Sequence, residues 1–262
     1  MRNKFNKELT FWWSPRAPMG LSFLRKENAG DLLGPHLVNR ILSAAGQDIK
    51  KIKPDNRLMS IGSVLHFARD GDTVWGTGVN GKVDSNLHRF TSLNIRALRG
   101  PLTANFLKSR NLQTPNIYGD PGILTSKFWK REHEPSGSTI YIPHMREKVD
   151  PTIAKKYKVL SPLTELNLFI SEIQKASKVI STSLHGIIIA ESYSIPAVLI
   201  ENNSGETLFK YHDYFQGTGR DKVHICKDFN SALNHSPPSP NLEKFQDGLL
   251  SCFPYDIWQI KR

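Results

Sequence analysis

The sequence predicts an α/β protein built as two similar lobes of ~130 residues each, with a cleft between them. Three observations lead there. Short apolar runs end in small polar loops, helix-period segments follow those loops, and a charged, apolar-poor stretch interrupts the alternation near the middle of the chain. A length of 262 residues with 39% hydrophobic content is enough to bury two such cores.

In chain order, Leu9 to Trp13 predicts a first short strand stopped by Ser14-Pro15. Asn28-Ala29-Gly30-Asp31 then introduces a helix from Leu32 to Ala45, with Leu33, Leu37, Ile41 and Leu42 on one face. Leu58 to Ile61 and Asp72 to Trp75 read as strands, ending in Gly62-Ser63 and Gly76-Thr77-Gly78. Gly100-Pro101-Leu102 opens a helix to about Arg110, with proline where helix starts accept it. Ile117-Tyr118 leads into the turn Gly119-Asp120-Pro121-Gly122. The segment Lys130 to Ser138 has linker composition, so residues 1–130 are expected to form one lobe and 139–262 the other, joined through 131–138. Beyond it, Thr139 to Ile142 is a strand, Leu166 to Ala176 a helix and Val179-Ile180 a strand. Ile187 to Tyr193 is a helix and Pro196 to Ile200 a strand. Leu242 to Cys252 forms a last helix, and Tyr255 and Trp258 an aromatic end.

Residues 184–200 are apolar enough to raise the question of a membrane span. His185, Glu191, Tyr193 and Pro196 would then have to hide in about 30 Å of hydrocarbon, so a buried helix and strand fit better. No signal-peptide core is visible at the start, and the protein is expected on the cytoplasmic side. Thirty-five basic against 24 acidic residues give a formal charge of +11, which favours anionic substrates, polyanions or an anionic membrane surface. Cys226 and Cys252 make neither a disulfide framework nor a metal motif, and clustered carboxylates at ligand spacing are missing, so no metal and no cofactor is expected. Gly76-Thr77-Gly78 lacks nucleotide-loop spacing. Scattered basic residues without a helix-turn-helix, zinc-finger or RNA-recognition signature argue against nucleic acid.

The polar run Ser181 to Gly186 stands between an apolar strand and an apolar helix. A helix N-terminus offers free N–H groups and the positive end of a dipole, so this run is a natural anion site. NAGDLLGPHLVNRIL, IGSVLHFARDGDTVWGTGV, IRALRGPLTANFLKSRNL, YGDPGILTSKFW, YIPHMRE and ISTSLHGIIIAESYSIPAVLIE resemble, in that order, the polysaccharide pyruvyltransferase family, over about Asn28 to Tyr214. That resemblance implies two Rossmann-like lobes similar to the GT-B glycosyltransferase fold, with the active site in the cleft between them. It implies transfer of an enolpyruvyl unit from phosphoenolpyruvate to two hydroxyls of a terminal hexose, leaving a pyruvate ketal. The acceptor would be a lipid-linked exopolysaccharide repeat unit, met by transient contact with the inner face of the cytoplasmic membrane. Many members carry arginine before the Leu-His pair, where this chain has Ser183.

With such a donor, His185, Asp31 and His144 are the candidate catalytic groups. Thr182, Ser183 and Gly186 would present hydroxyls and N–H groups to the phosphate, while Arg99 and Arg96, with Lys127 nearby, are candidates to grip the carboxylate. Asn28, His66, Asp120, Tyr211 and Tyr214 are assigned to the acceptor, and Trp75 to the core. Bland alternatives stand beside these roles: Asp31 as a helix cap, Asp120 as a turn residue, Arg99 as a surface charge. Two rival functions share the same charge and architecture, a nucleotide-sugar glycosyltransferase and a non-catalytic basic nucleic-acid-binding protein.

Overall fold

A computed structural model describes residues 10–13, 27–135, 137–201 and 206–260. Asn28 caps the first helix, α1 (Ala29–Ala44), by accepting from Gly30 N at 2.8 Å; Asp31, expected as a possible cap, sits inside the first turn instead. Three parallel strands follow, β1 (Leu58–Met59), β2 (Thr73–Trp75) and β3 (Asn94–Ala97), in sheet order β1-β2-β3. Within the described part of the predicted first strand, Phe11 makes one parallel bridge to Met59; Leu9 and Ser14-Pro15 lie outside the described residues.

From Pro101 at its first position, α2 (Pro101–Lys108) returns from β3, and a short α3 (Thr125–Phe128) follows a 3-10 turn at Pro121–Leu124. The second sheet contains β4 (Ser138–Ile142), β5 (Lys158–Val159), β6 (Ala176–Ser181) and β7 (Ala197–Leu199), all parallel, in order β5-β4-β6-β7. Its helices are α4 (Pro151–Lys156), α5 (Leu166–Gln174) and α6 (Leu184–Ser192). Then come α7 (Phe209–Gly217), α8 (Phe229–Asn234) and α9 (Glu243–Ser251). The protein is therefore α/β with two parallel sheets of three and four strands.

α6 starts at Leu184, three residues earlier than its apolar run suggests, because Leu184 to Gly186 complete the turn before Ile187. With isoleucines and an alanine round its middle, it is buried between β6, α5 and the turn at Pro121–Leu124. No helix among the described residues is long and apolar enough to cross a membrane. The expected linker is tied down where it is described: Arg131 donates to Tyr193 O, and Glu132 N donates to Gln174 Oε1 at 3.1 Å.

Two contacts bring the C-terminal third back to the first sheet. Trp75 is buried, as expected of a core aromatic; its indole N–H donates to Leu249 O of α9 at 2.9 Å, and its ring meets Phe253 edge-on at 4.9 Å. The end of α7 is pressed onto the loop after β3: a Cβ on Gly217 would stand 2.1 Å from Arg99 O. One apolar cluster accordingly runs from Leu33 and Trp75 through Ile142 and Ile188 to Leu249 and Trp258.

Candidate active site

β6 ends at Ser181, whose hydroxyl lies 2.8 Å from Ile142 O and accepts from Ser183 N at 2.9 Å, folding the loop tightly over β4. Ser183 occupies the N-cap position of α6 without a side-chain capping bond. The N–H groups of Leu184, His185 and Gly186 have no acceptor outside the helix among the described residues. The predicted uncapped helix start is thus present, at the edge of a pocket of about 270 Å³ lined by Ser183, Leu184 and His185.

The first turn of α1 meets this loop from the other side. A Cβ on Gly30 would lie 2.0 Å from His185 Nδ1, so only glycine lets the imidazole lie flat on α1. Burial, with Lys210, Arg99 and His144 adding to it, pushes the imidazole down to about 3, so His185 is neutral at neutral pH. Its Nε2 is buried with no hydrogen-bond partner among the described residues. One residue further along α1, Asp31 lines the pocket, and burial raises its carboxyl to about 7 against the opposing pull of Lys210. Asp120 is also wholly buried there, held up at about 6 by burial; its Oδ1 accepts from Gly122 N at 2.9 Å while Oδ2 has no partner among the described residues.

Opposite these acids lies a basic group around one carboxylate. Glu206 accepts from Lys210 Nζ at 2.7 Å and from Lys82, and His144 Nε2 stands 3.8 Å from it. Burial alone would raise Glu206, but the two lysines overcome it and hold the carboxyl at about 2. Burial lowers His144, with Lys210 adding to the effect and Glu206 opposing it. Asn28 and His66 are further predicted residues found here; Asn28 donates to Met145 Sδ at 3.7 Å, and burial pushes His66 down to about 4, with Nδ1 unpartnered among the described residues.

Arg99 reaches the pocket wall, fully buried, with each of its three guanidinium nitrogens donating once. Its Nε donates to Asp213 Oδ2 at 3.0 Å, Nη1 to Ser63 Oγ at 2.6 Å and Nη2 to Val79 O at 2.7 Å. The surface-charge alternative fails for this residue. Other candidates lie outside the pocket. Arg96 pairs with Asp256 at 2.6 Å and Lys127 with Asp247 at 3.2 Å. Thr182 Oγ1 accepts from His144 N at 2.7 Å and donates to Glu147. Gly186 packs on Ser181 and Ile142. Tyr211 and Tyr214 are buried, donating to Thr182 O at 2.7 Å and Glu191 Oε2 at 2.6 Å.

Lys82, Lys210, Glu206 and the orphaned Asn80 Oδ1 are pocket features that sequence reasoning missed. Lys82 and Glu206 sit in loops without periodicity. The one legible signal was Lys210 in the first turn of a helix, where a cation opposes the dipole unless an anion faces it.

Comparison with known proteins places the chain by sequence. The sequence profile of the polysaccharide pyruvyl transferase family matches residues 28–204. An uncharacterized protein of Acanthamoeba polyphaga mimivirus is 25% identical over 217 residues, covering 75% of this chain and 73% of the relative. The succinoglycan biosynthesis protein ExoV of Rhizobium meliloti is 23% identical over 189 residues, covering 65% of this chain and 56% of ExoV. The profile match takes in α1 with Asn28 and Asp31, the loops carrying Lys82, Arg99 and Asp120, and the start of α6 with His185. The chain is a member of the polysaccharide pyruvyl transferase family.

Proposed function

We propose that the protein moves the enolpyruvyl unit of phosphoenolpyruvate onto two hydroxyls of a terminal hexose, forming a pyruvate ketal. The observation that carries this reading is the uncapped start of α6 facing Asp31, an acid held near 7, across one small pocket. Phosphate sits against the N–H groups of Leu184 and His185, with the Ser183 hydroxyl beside them. Asp31 gives its proton to the donor's methylene carbon, which becomes the methyl group. The neighbouring carbon turns cationic, and one sugar hydroxyl oxygen bonds to it. Its bond to the phosphate oxygen breaks, the phosphate leaves, and a second hydroxyl of the same sugar takes its place. Of the two hydroxyl protons, one restores Asp31 and the other leaves with phosphate. Asp120, with an unpartnered oxygen and a carboxyl near 6, is suited to relay a hydroxyl proton, and His185 Nε2 to donate to the departing phosphate.

His66 and Asn28 lie on the acceptor side in this reading, and His144 near the donor. In this reading the two sheets belong to GT-B-like lobes divided at 131–138, on either side of the pocket. Family membership and a relative named for succinoglycan biosynthesis support an exopolysaccharide acceptor carried on lipid, and the charge of +11 suits visits to the anionic inner leaflet. The test is incubation with phosphoenolpyruvate and a panel of hexosides and lipid-linked oligosaccharides. Phosphate release with a product heavier by pyruvate less water is expected. Release of a nucleoside diphosphate from a nucleotide sugar, with no reaction of phosphoenolpyruvate, would reject the assignment.

A further inference from the structure

Glu206 occupies an unusual position for an acid. Its carboxylate is 6% exposed, caps no helix, and draws together two lysines from distant parts of the chain, Lys82 after β2 and Lys210 at the start of α7. Lys210 Nζ donates to one of its oxygens at 2.7 Å and Lys82 to the other, while His144 Nε2 stands 3.8 Å away. All four residues line the pocket. Two ammonium groups thus converge on a single carboxylate inside the cavity that holds the uncapped start of α6. Lys210 also acts on the rest of the pocket, being among the charges that lower Asp31 and His185. A lysine is a point charge with no geometric preference among anions, so a site that holds this carboxylate will hold another. A glutamate side chain can also swing away by rotating its own bonds, without any backbone movement.

We propose that Lys82 and Lys210 form a second anion subsite of the pocket, that Glu206 is its built-in occupant, and that a small anionic ligand binds there by displacing Glu206. Removing Glu206 frees two cations in a partly buried site, where opposite charges attract strongly. Naming the anion as part of phosphoenolpyruvate rests on the function proposed above; the competition itself does not. A residue that merely positioned the lysines would give the opposite sign, since its loss would disorder them and weaken binding.

The experiment is titration calorimetry of the wild-type chain and Glu206→Gln with phosphoenolpyruvate, pyruvate and inorganic phosphate, without acceptor. The Gln variant should bind phosphoenolpyruvate about tenfold more tightly. Tightening with pyruvate as well assigns the subsite to a carboxylate, and tightening with inorganic phosphate assigns it to phosphate. Glu206→Asp, too short to span both lysines, should shift affinity the same way by less, which keeps the test alive if the Gln variant does not fold. Unchanged or weaker binding in the variants overturns the proposal, as does failure of every anion to bind wild type and variants alike. Tighter binding of inorganic phosphate in an enzyme that does not turn over phosphoenolpyruvate would leave the subsite standing and remove the pyruvyl-transfer reading. Turnover with no change on Glu206 substitution would do the reverse.

Discussion

The N-termini of α2 and α6 are assembled from similar parts: a parallel strand, a two- or three-residue loop and a helix, with Arg99 in the loop before α2 and His185 in the first turn of α6. At α2 the anion is already present. Asp213 of α7 accepts from Thr103 N at 2.9 Å and Thr103 Oγ1 at 2.7 Å while pairing with Arg99, so dipole and guanidinium are both neutralised from within. At α6 no side chain among the described residues fills that role, and Leu184 and His185 line the pocket. Local sequence makes two equivalent anion sites; an aspartate 114 residues from Arg99 decides that one of them is structural. One helix start is closed by this aspartate and the other is left open.

The largest expected effect breaks the closed site. Arg99→Met should leave Asp213 buried and unpaired at a cost of about 3–5 kcal/mol, a fall in melting temperature of roughly 10 °C. Adding Asp213→Leu should recover much of it, because removing both charges abolishes the uncompensated one. Thermal melts of both variants decide this, and an unshifted melt with weakened donor binding would restore Arg99 as an open anion contact. At the open site, His185→Ala should melt near wild type but lower turnover by about two orders of magnitude. Since His185 is neutral at rest, the lost contact is a hydrogen bond rather than a fixed charge. Near-normal phosphate release from the folded variant would make the loop only a helix start.

Asp31 provides the next test through pH. Its carboxyl is raised by burial from 3.8 to about 7, so the folded chain keeps a proton that the unfolded chain has lost. That contribution to stability is present below about pH 4 and is lost as pH rises towards 7. Asp31→Asn should flatten the stability profile across that window. Wild-type turnover should also fall above about pH 7 as the acid ionises, a limb the Asn variant must lack. A variant retaining the same pH profile would move the acid elsewhere. Smallest of all should be Arg96→Ala. Its ion pair with Asp256 is half-exposed and outside the pocket, worth about 0–1 kcal/mol, and the donor KM should not change.

Much of the alternation was legible because period and punctuation are local. Asn28 and Gly30 before an apolar helix, Gly100-Pro101 at a helix start and Ser181 to Gly186 between two apolar runs each announce a boundary. β3 was missed because Asn94 to Ala97, though it alternates polar and apolar residues, is only four residues long, and α7 because Phe209 to Gly217 mixes aromatic and charged residues without an apolar stripe. The pocket positions of His185, Asp31 and Asp120 could be anticipated from two helix starts and a turn. Tyr211 and Tyr214 could not be sorted from sugar-stacking residues, because the acceptors of their hydroxyls, Thr182 O and Glu191, belong to other elements. The Lys82–Glu206–Lys210 group was hidden for the same reason: charge partners 124 residues apart leave no trace in either loop.

Gly217 against Arg99, and Asp213 against the same residue, also set a timetable. A ribosome adding about 5–20 residues per second takes roughly 6–20 s to pass from Arg99 to Asp213, and it is still short of Leu249, the acceptor for Trp75. Until α7 has emerged, the loop after β3 holds a guanidinium with no counter-charge and a helix start with no cap. The first sheet of the nascent chain is therefore left waiting with its arginine in water, and its final packing belongs to the last stage of synthesis rather than the first.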